Sequence, residues 1–263
     1  RPCAGDEMKK ALITGGTGFV GGYLKADLEK AEYITEITSR RKNADCFQMK
    51  LNELGSIQTV LSEFKPDVIF HLAAQSSVAD SWKEPEKTFQ INVNGTINLL
   101  EVIRKLKLKT RILLIGSSEE YGKVTEENCP IPESHMPNPE NIYAVTKHCQ
   151  NKIGRLYAQN YDMDILMTRS FNHTGPGQSD RFVVSDFCRQ AAEISLGMRE
   201  PVIYVGNLTA KRDFTDVRDI SKCYRLLAEK GIKGETYNVG SGKAVSIENI
   251  LKMIIDKSGK EIE

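Results

Sequence analysis

The chain has 263 residues, 40% of them hydrophobic, with 36 Lys and Arg against 35 Asp and Glu and a net charge of +1. That length holds one large domain or two small ones, with a core that needs no disulfide staples. Balanced charge excludes a protein that tracks nucleic-acid phosphates, ordinary aromatic content excludes disorder, and apolar runs such as Ile112–Ile115 are too short to span a bilayer. No charged, then apolar, then small-residue segment opens the chain, so a cytoplasmic location is expected. Residues 1–7 read as a leader, with Met8 as the natural start. Cys3, Cys46, Cys129, Cys149, Cys188 and Cys223 are scattered, without Cys-x-x-Cys pairs or histidines at ligand spacing. Neither a disulfide framework nor a metal site is expected.

In chain order, β-rich runs at Lys10–Thr14, Tyr33–Thr38, Phe47–Leu51, Asp67–Ala73, Arg111–Gly116 and Met163–Ser170 read as strands. Helical stretches near Gly18–Lys30, Ser56–Phe64, Pro85–Leu106 and Ile142–Gln159 separate them. This alternation predicts βαβ units and an α/β fold, a doubly wound parallel sheet of Rossmann type. Past Arg169 the alternation fades, Gly175-Pro176-Gly177 marks a loop, and Val202–Val205 and Thr236–Val239 read as isolated strands. A smaller, interleaved α/β unit is therefore expected. The division reads as 8–171 with 213–240 for the dinucleotide-binding domain, and 172–212 with 241–263 for a substrate domain.

Gly15, Gly18 and Gly21 follow the first strand in a Gly-x-x-Gly-x-x-Gly pattern and open the first helix. Such glycines let backbone amides approach a pyrophosphate, which the positive end of the helix favours. An acidic residue about 20 residues further on would bind the ribose hydroxyls of NAD. Here Thr38-Ser39-Arg40-Arg41 stands instead. Ser39 with Arg40 suits a 2′-phosphate, so NADP(H) is expected ahead of NAD(H), which stays open.

Tyr143 and Lys147 lie four apart on one helical face. Val145, Cys149, Ile153 and Leu156 form a separate stripe expected to face the core. A free phenol titrates near about 10, and a neighbouring ammonium is expected to bring Tyr143 toward the working range. Ser117, just past the strand ending at Ile115, lies where parallel sheets bind ligands. A turn or helix cap is its structural alternative.

Together these residues resemble the extended short-chain dehydrogenase/reductase family over residues 8–263. His71-Leu72-Ala73-Ala74 and Asn92-Val93-Asn94-Gly95-Thr96 add to the match. Within the family the chain is similar to the nucleotide-sugar branch that acts on GDP-mannose derivatives. The strings carrying this are Gln75–Val78, Ser117–Gly122, Phe171–Gln178 and Gly206-Asn207-Leu208 leading to Arg212-Asp213-Phe214. The resemblance implies catalysis by Ser117, Tyr143 and Lys147, with Glu119 at the family's carboxylate position. It places a dinucleotide on Gly15, Thr17, Gly18, Phe19, Val20 and Gly21. Further cofactor contacts fall to Ser39, Arg40 and Asn52, to Leu72, Ala73, Ala74 and Asn92, and to Tyr143 and Lys147. A GDP-sugar would meet Ser76, Ser118, Glu119, Asn172, Arg181, Val183, Asn207 and Arg212. For Arg212, an ion pair with Asp213 or Asp216 is the structural alternative.

Two activities compete. One reduces GDP-4-keto-6-deoxymannose to GDP-D-rhamnose; the other removes water from GDP-mannose across C5–C6. Asp80-Ser81-Trp82, the Arg212–Asp219 string, Ser185-Asp186 and the Phe171–Gln178 loop are similar to the reductase. A non-catalytic NADP-sensing module is the reading from another class, but it predicts a broken Ser/Tyr/Lys set, and all three are present. The chain departs from the pattern at Asn52, where aspartate is usual, and at Asn141-Ile142, where Ser-Pro is common. Relatives are also expected to continue about 50 residues beyond Glu263. By resemblance, helices Pro85–Leu106 and Ile142–Gln159 pair two subunits in a four-helix bundle.

Overall fold

The computed structural model describes residues 8–262, so the expected leader and Cys3 lie outside the described residues. The chain opens with β1 (Lys10–Thr14), α1 (Phe19–Lys30), β2 (Ile34–Ser39), β3 (Phe47–Gln48) and α2 (Leu54–Phe64). Next come β4 (Val68–His71), α3 (Val78–Lys83), α4 (Pro85–Phe89), α5 (Gly95–Lys105), β5 (Arg111–Leu114) and α6 (Ile142–Asn160). The remainder is β6 (Ile165–Ser170), β7 (Asn172–Thr174), α7 (Val183–Ser195), β8 (Lys211–Asp216), α8 (Val217–Lys230), β9 (Thr236–Val239), β10 (Ala244–Ser246) and α9 (Ile247–Ser258).

Two compact units emerge, residues 8–170 with 221–239, and residues 171–220 with 240–262. In the first, a seven-stranded sheet runs in the order β3-β2-β1-β4-β5-β6-β9. Every neighbouring pair is parallel. Strand order reverses beside β1, which opens a crevice at the carboxyl ends of β1 and β4. The central strands β1, β4, β5 and β6 are buried almost throughout because helices cover both faces. Leu12, Ile69, Ile112 and Ile165 pack with Ile57 and Leu61 of α2 and Leu99 and Ile103 of α5, all at most 1% exposed. The second unit holds a three-stranded sheet, β10-β8-β7, antiparallel between β10 and β8 and parallel between β8 and β7. Its core gathers Phe187, Ala191, Ile194, Ile203 and Ile247.

Several sequence expectations need correction. The helix expected over Pro85–Leu106 is α4 and α5 joined by a π-helical turn at Gln90–Asn94. One extra residue in that turn re-aims its side chains. The alternation does not fade after Arg169, since α7 and α8 continue it to β9. Val202–Val205 is not a strand. The side-chain amide of Gln190 accepts from the Tyr204 amide at 2.9 Å and donates to the Tyr204 carbonyl at 3.1 Å, taking the place of a ladder partner. The expected core face of α6 is also wrong. Ala144, Lys147, Gln150, Asn151, Gly154 and Ala158 are buried, whereas Leu156 is 55% exposed. The sheet approaches so closely that a Cβ on Gly154 would stand 2.6 Å from the Leu114 side chain. Small and hydrogen-bonding side chains therefore face inward; of the expected stripe, Ile153 packs against the core, Val145 and Cys149 are half-buried, and Leu156 faces out.

Gly116 follows β5 where a Cβ would fall 2.1 Å from the Thr168 carbonyl oxygen and 2.7 Å from Glu120 Oε1. Backbone of β6 cannot yield cheaply. Gly116→Ala should destabilise the protein by about 1–3 kcal/mol, read from urea unfolding midpoints.

Candidate active site

The glycine loop is built for close backbone approach. Gly15 sits at φ +67°, and a Cβ there would meet the Ala73 backbone at 2.8 Å. A Cβ on Gly21 would lie 2.2 Å from the Gly16 carbonyl oxygen, so α1 and the loop touch through backbone alone. Gly18 caps α1 without any side-chain hydrogen bond. The positive end of α1 suits an anionic pyrophosphate. Thr17 is exposed, while Phe19 and Val20 are half-buried on the first turn of α1. At the end of β2, the Ser39 hydroxyl accepts from the Arg41 amide at 3.2 Å, and the Arg40 carbonyl from Gln48 at 3.2 Å. The loop backbone is fixed while Arg40 remains exposed. These residues fit a dinucleotide. Asn52 is exposed, and Leu72, Ala73 and Ala74 are half-buried past β4.

Behind the loop runs a closed polar network. The Thr14 hydroxyl accepts from the Ala73 amide at 3.2 Å and lies 2.7 Å from His71 Nδ1. His71 Nε2 lies 3.1 Å from Thr96 Oγ1, which itself donates to the Asn92 carbonyl at 2.7 Å. Thr96 must therefore accept, which puts the His71 proton on Nε2 and leaves Nδ1 to accept from Thr14. Burial, with Lys147 nearby, lowers His71 to about 3, so it is neutral. Asn92, expected to touch the cofactor, is 0% exposed and committed elsewhere. Its carboxamide accepts from the Gln75 amide at 2.8 Å and donates to the Gln75 carbonyl at 3.0 Å and to Thr146 Oγ1 at 2.9 Å. Thr146 in turn donates to the Tyr143 carbonyl at 2.7 Å. Asn92 thus ties the π-helical turn to the helix bearing Tyr143.

Ser117, Tyr143 and Lys147 converge at the carboxyl end of β5. The Ser117 side chain accepts from the Glu119 amide at 3.2 Å, while Glu120 Oε1 accepts from the Ser117 amide at 3.3 Å. This is a capping box, so the cap reading of Ser117 is realised. The same hydroxyl also acts on the Tyr143 phenol, so capping does not take Ser117 away from it. Burial pushes Tyr143 up to about 12, against the Ser117 hydrogen bond and with help from Glu119 and Glu120. The expected lowering by Lys147 is absent. Lys147 is 3% exposed and its ammonium donates to the Ile115 carbonyl at 2.8 Å and to Gln150 Oε1 at 3.3 Å. Burial lowers it to about 8, with Glu120 opposing.

The two adjacent glutamates have different fates. Glu120 is fully buried and paired with Arg169 at 3.2 Å, and Arg169 stacks on Tyr121. Glu119 is half-buried, and one oxygen accepts from Asn141 Nδ2 at 3.0 Å. Asn141 also caps α6 through the Ala144 amide at 2.8 Å. That family departure therefore holds a candidate catalytic carboxylate. Ser118 is half-buried beside it, and Ser76 is exposed before α3.

The other expected substrate contacts lie in the second unit. Asn172 on β7, Arg181, Val183 at the start of α7, Asn207 and Arg212 on β8 are all exposed. Arg212 does not pair with Asp213 or Asp216. Asp213 accepts from the Ser241 hydroxyl at 2.6 Å and the Gly242 amide at 2.7 Å, while Asp216 holds Arg218 at 2.6 Å. Sequence reading missed Gln150, Glu120 and Arg169. The only signal was that Gln150 lies one turn past Lys147 on the same face. Among the described residues, no group of three or more His, Cys, Asp or Glu side chains could hold a metal ion. No described helix is long and apolar enough to cross a membrane.

Comparison with known proteins places this geometry in context. A model of the GDP-mannose 4,6 dehydratase family matches residues 12–263. A GDP-6-deoxy-D-mannose reductase of Pseudomonas aeruginosa is 33% identical over 255 residues, 97% of this chain and 82% of that protein. A GDP-mannose 4,6-dehydratase of Yersinia enterocolitica is 31% identical over 278 residues, 97% of this chain and 74% of that one. The solved structure of RMD from Pseudomonas aeruginosa complexed with NADPH superposes with a TM-score of 0.89 at 33% identity, covering 97% of this chain and 83% of that chain.

Neutral His71 makes stability depend on acidity. Between pH 6.5 and about 3 the unfolded chain binds this proton and the folded chain does not. Stability therefore falls as pH falls through that window, by about 1.4 kcal/mol per unit from this group. Urea unfolding at stepped pH should show the slope, and His71→Asn should flatten it by about one proton's worth.

Proposed function

This chain belongs to the GDP-mannose 4,6-dehydratase family, in the nucleotide-sugar branch of the NAD(P)-dependent extended short-chain dehydrogenases/reductases, and from that premise we propose that it reduces a ketone. The substrate is the C4 ketone of a GDP-linked 4-keto-6-deoxy sugar, GDP-4-keto-6-deoxymannose, and the product is GDP-D-rhamnose. One observation carries this reading: Ser117, Tyr143 and Lys147 are all present after β5 and on α6, in a chain 33% identical to a GDP-6-deoxy-D-mannose reductase.

A bound nicotinamide supplies the hydride. Tyr143 donates a proton to the C4 oxygen as charge develops there, and Ser117 shares that oxygen. The Lys147 ammonium stabilises the phenolate left behind and holds the nicotinamide ribose. Asn172 orders the sugar diphosphate, Arg212 offsets its charge, and Arg181, Val183 and Asn207 complete the contacts. Ser39 with the exposed Arg40 favours NADP(H), in keeping with a similar structure that carries NADPH. The half-buried Val145 and Cys149 and the exposed Leu156 of α6 support a homodimer built on α4, α5 and α6, and the proposed place of action is the cytoplasm.

A second reading has its own observation. Glu119, positioned by Asn141, is a carboxylate able to take the C5 proton in a 4,6-dehydration of GDP-mannose.

The two readings separate in one assay. GDP-4-keto-6-deoxymannose with NADPH should give stoichiometric loss of absorbance at the nicotinamide band, and GDP-mannose with NADP should give none. Conversion of GDP-mannose without net cofactor change would make the protein a dehydratase. Tyr143→Phe should lower turnover by about 10²-fold or more while NADPH binding, followed by fluorescence, persists. In a parallel test, Arg40→Ser should raise KM for NADPH about tenfold and leave KM for NADH nearly unchanged.

A further inference from the structure

A buried ammonium needs acceptors, and its surroundings determine where its protons point. Lys147 lies on α6 with its ammonium against the carbonyl of Ile115, one residue past β5. Gln150, one turn later on α6, is 1% exposed and reaches both groups. Its Nε2 donates to the Ile115 carbonyl at 3.0 Å, and its Oε1 accepts from Lys147 Nζ at 3.3 Å. The three groups close a triangle. Both lone pairs of the carbonyl are used, and two of the three ammonium protons are assigned. The reverse amide orientation would set an NH₂ against the ammonium, so the chemistry fixes which way Gln150 faces.

We propose that Gln150 is a positioning residue for Lys147, fixing the direction of its ammonium by sharing the Ile115 carbonyl and accepting one of its protons. The proposal rests on the reading that Lys147 serves a nicotinamide cofactor and Tyr143. With two protons assigned, the third has one remaining direction, and the ribose and phenol are served from there. A hydrocarbon at this position leaves the ammonium one acceptor and freedom to turn.

Gln150 also bears on how firmly Lys147 keeps its proton. Of the titratable groups nearby, Glu120 from the turn after β5 favours the charged form, while His71 from β4 is neutral. Tyr143 precedes Lys147 on α6. Against that background, near-isosteric changes at Gln150 have opposite signs. Gln150→Glu adds a carboxylate beside the ammonium and strengthens its hold on the proton. Gln150→Met removes an acceptor and weakens it.

The test uses the full chain labelled with ¹³C at lysine Cε, and Lys147 is assigned by the resonance lost in Lys147→Met. In the wild type that resonance should titrate near about 8. Gln150→Glu should move the midpoint up by about one unit, and Gln150→Met should move it down. In the reduction assay, Gln150→Met should lower kcat by about tenfold to a hundredfold, with KM for the sugar nucleotide within about twofold. Midpoints that stay at the wild-type value, or move together in both variants, would overturn the proposal. If Gln150→Met fails to fold, the upward shift in Gln150→Glu decides alone. If the wild type reduces no GDP-4-keto sugar, the functional reading fails while the lysine titration still decides the role of Gln150.

Discussion

A positive charge that is 3% exposed at the end of a parallel sheet is the constraint around which this site is arranged. Lys147 cannot stay charged there without oxygen acceptors, because burial alone favours the neutral amine. The sheet provides the first acceptor for topological reasons. The ladder between β4 and β5 ends at the pair His71–Leu114, so the Ile115 carbonyl is free to turn toward α6. Gln150 provides the second, and the buried Glu120 carboxylate offsets the charge from the other side. The same positive charge acts on its neighbour. His71, lowered to about 3 by its burial and further by Lys147, stays neutral at ordinary pH, and the hydroxyls of Thr14 and Thr96 fit a single tautomer.

Neutral His71 is one link in a longer path. From Thr14 at the end of β1, hydrogen bonds run through His71, Thr96, Asn92 and Thr146 to the backbone of Tyr143. Every side-chain donor along it has an acceptor, which is the condition under which a buried polar network rigidifies rather than weakens a fold. The strand that precedes the glycine loop and the helix that carries the phenol are thus held in one register. A hydride and a proton delivered to the same carbonyl need that registry, since an ångström of misplacement is worth orders of magnitude in rate.

How much of this the sequence showed depended on whether backbone or side chains enforce it. The loop from Gly15 to Gly21 was legible because at Gly15 and Gly21 a Cβ would strike backbone, which leaves a pattern in residue type. The Tyr143/Lys147 pair was legible because helical spacing alone puts both on one face. The orientation of α6 was not. Equating apolar with buried pointed Val145 and Leu156 inward, whereas close approach at Gly154 and the needs of Lys147 selected small and polar groups. Val202–Val205 misled for a related reason. Its β-branched residues read as a strand, but a single glutamine amide satisfies the Tyr204 backbone, and no spacing in the sequence announces that. The π-helical turn was equally silent, since Gln90–Asn94 carries no Gly or Pro to mark a break in the helix.

Glu119 and Glu120 follow one another in sequence, yet only one can meet a substrate. Glu120 is locked between Arg169 and the Ser117 amide, and its contribution is electrostatic. Glu119 keeps an oxygen beyond the one held by Asn141. A carboxylate in that place is what a dehydration would use, so its presence leaves both chemistries of the family available. The two chemistries ask opposite things of the phenol. Dehydration begins by removing a proton from the C4 hydroxyl, which requires Tyr143 as phenolate, whereas reduction ends by giving a proton to the C4 oxygen, which requires it as phenol. Burial and two acidic neighbours hold Tyr143 at about 12, with the Ser117 hydrogen bond alone opposing them. Both carboxylates thus act on the phenol in one direction, toward the protonated form from which a reduction would draw its proton and against the form a dehydration would need first.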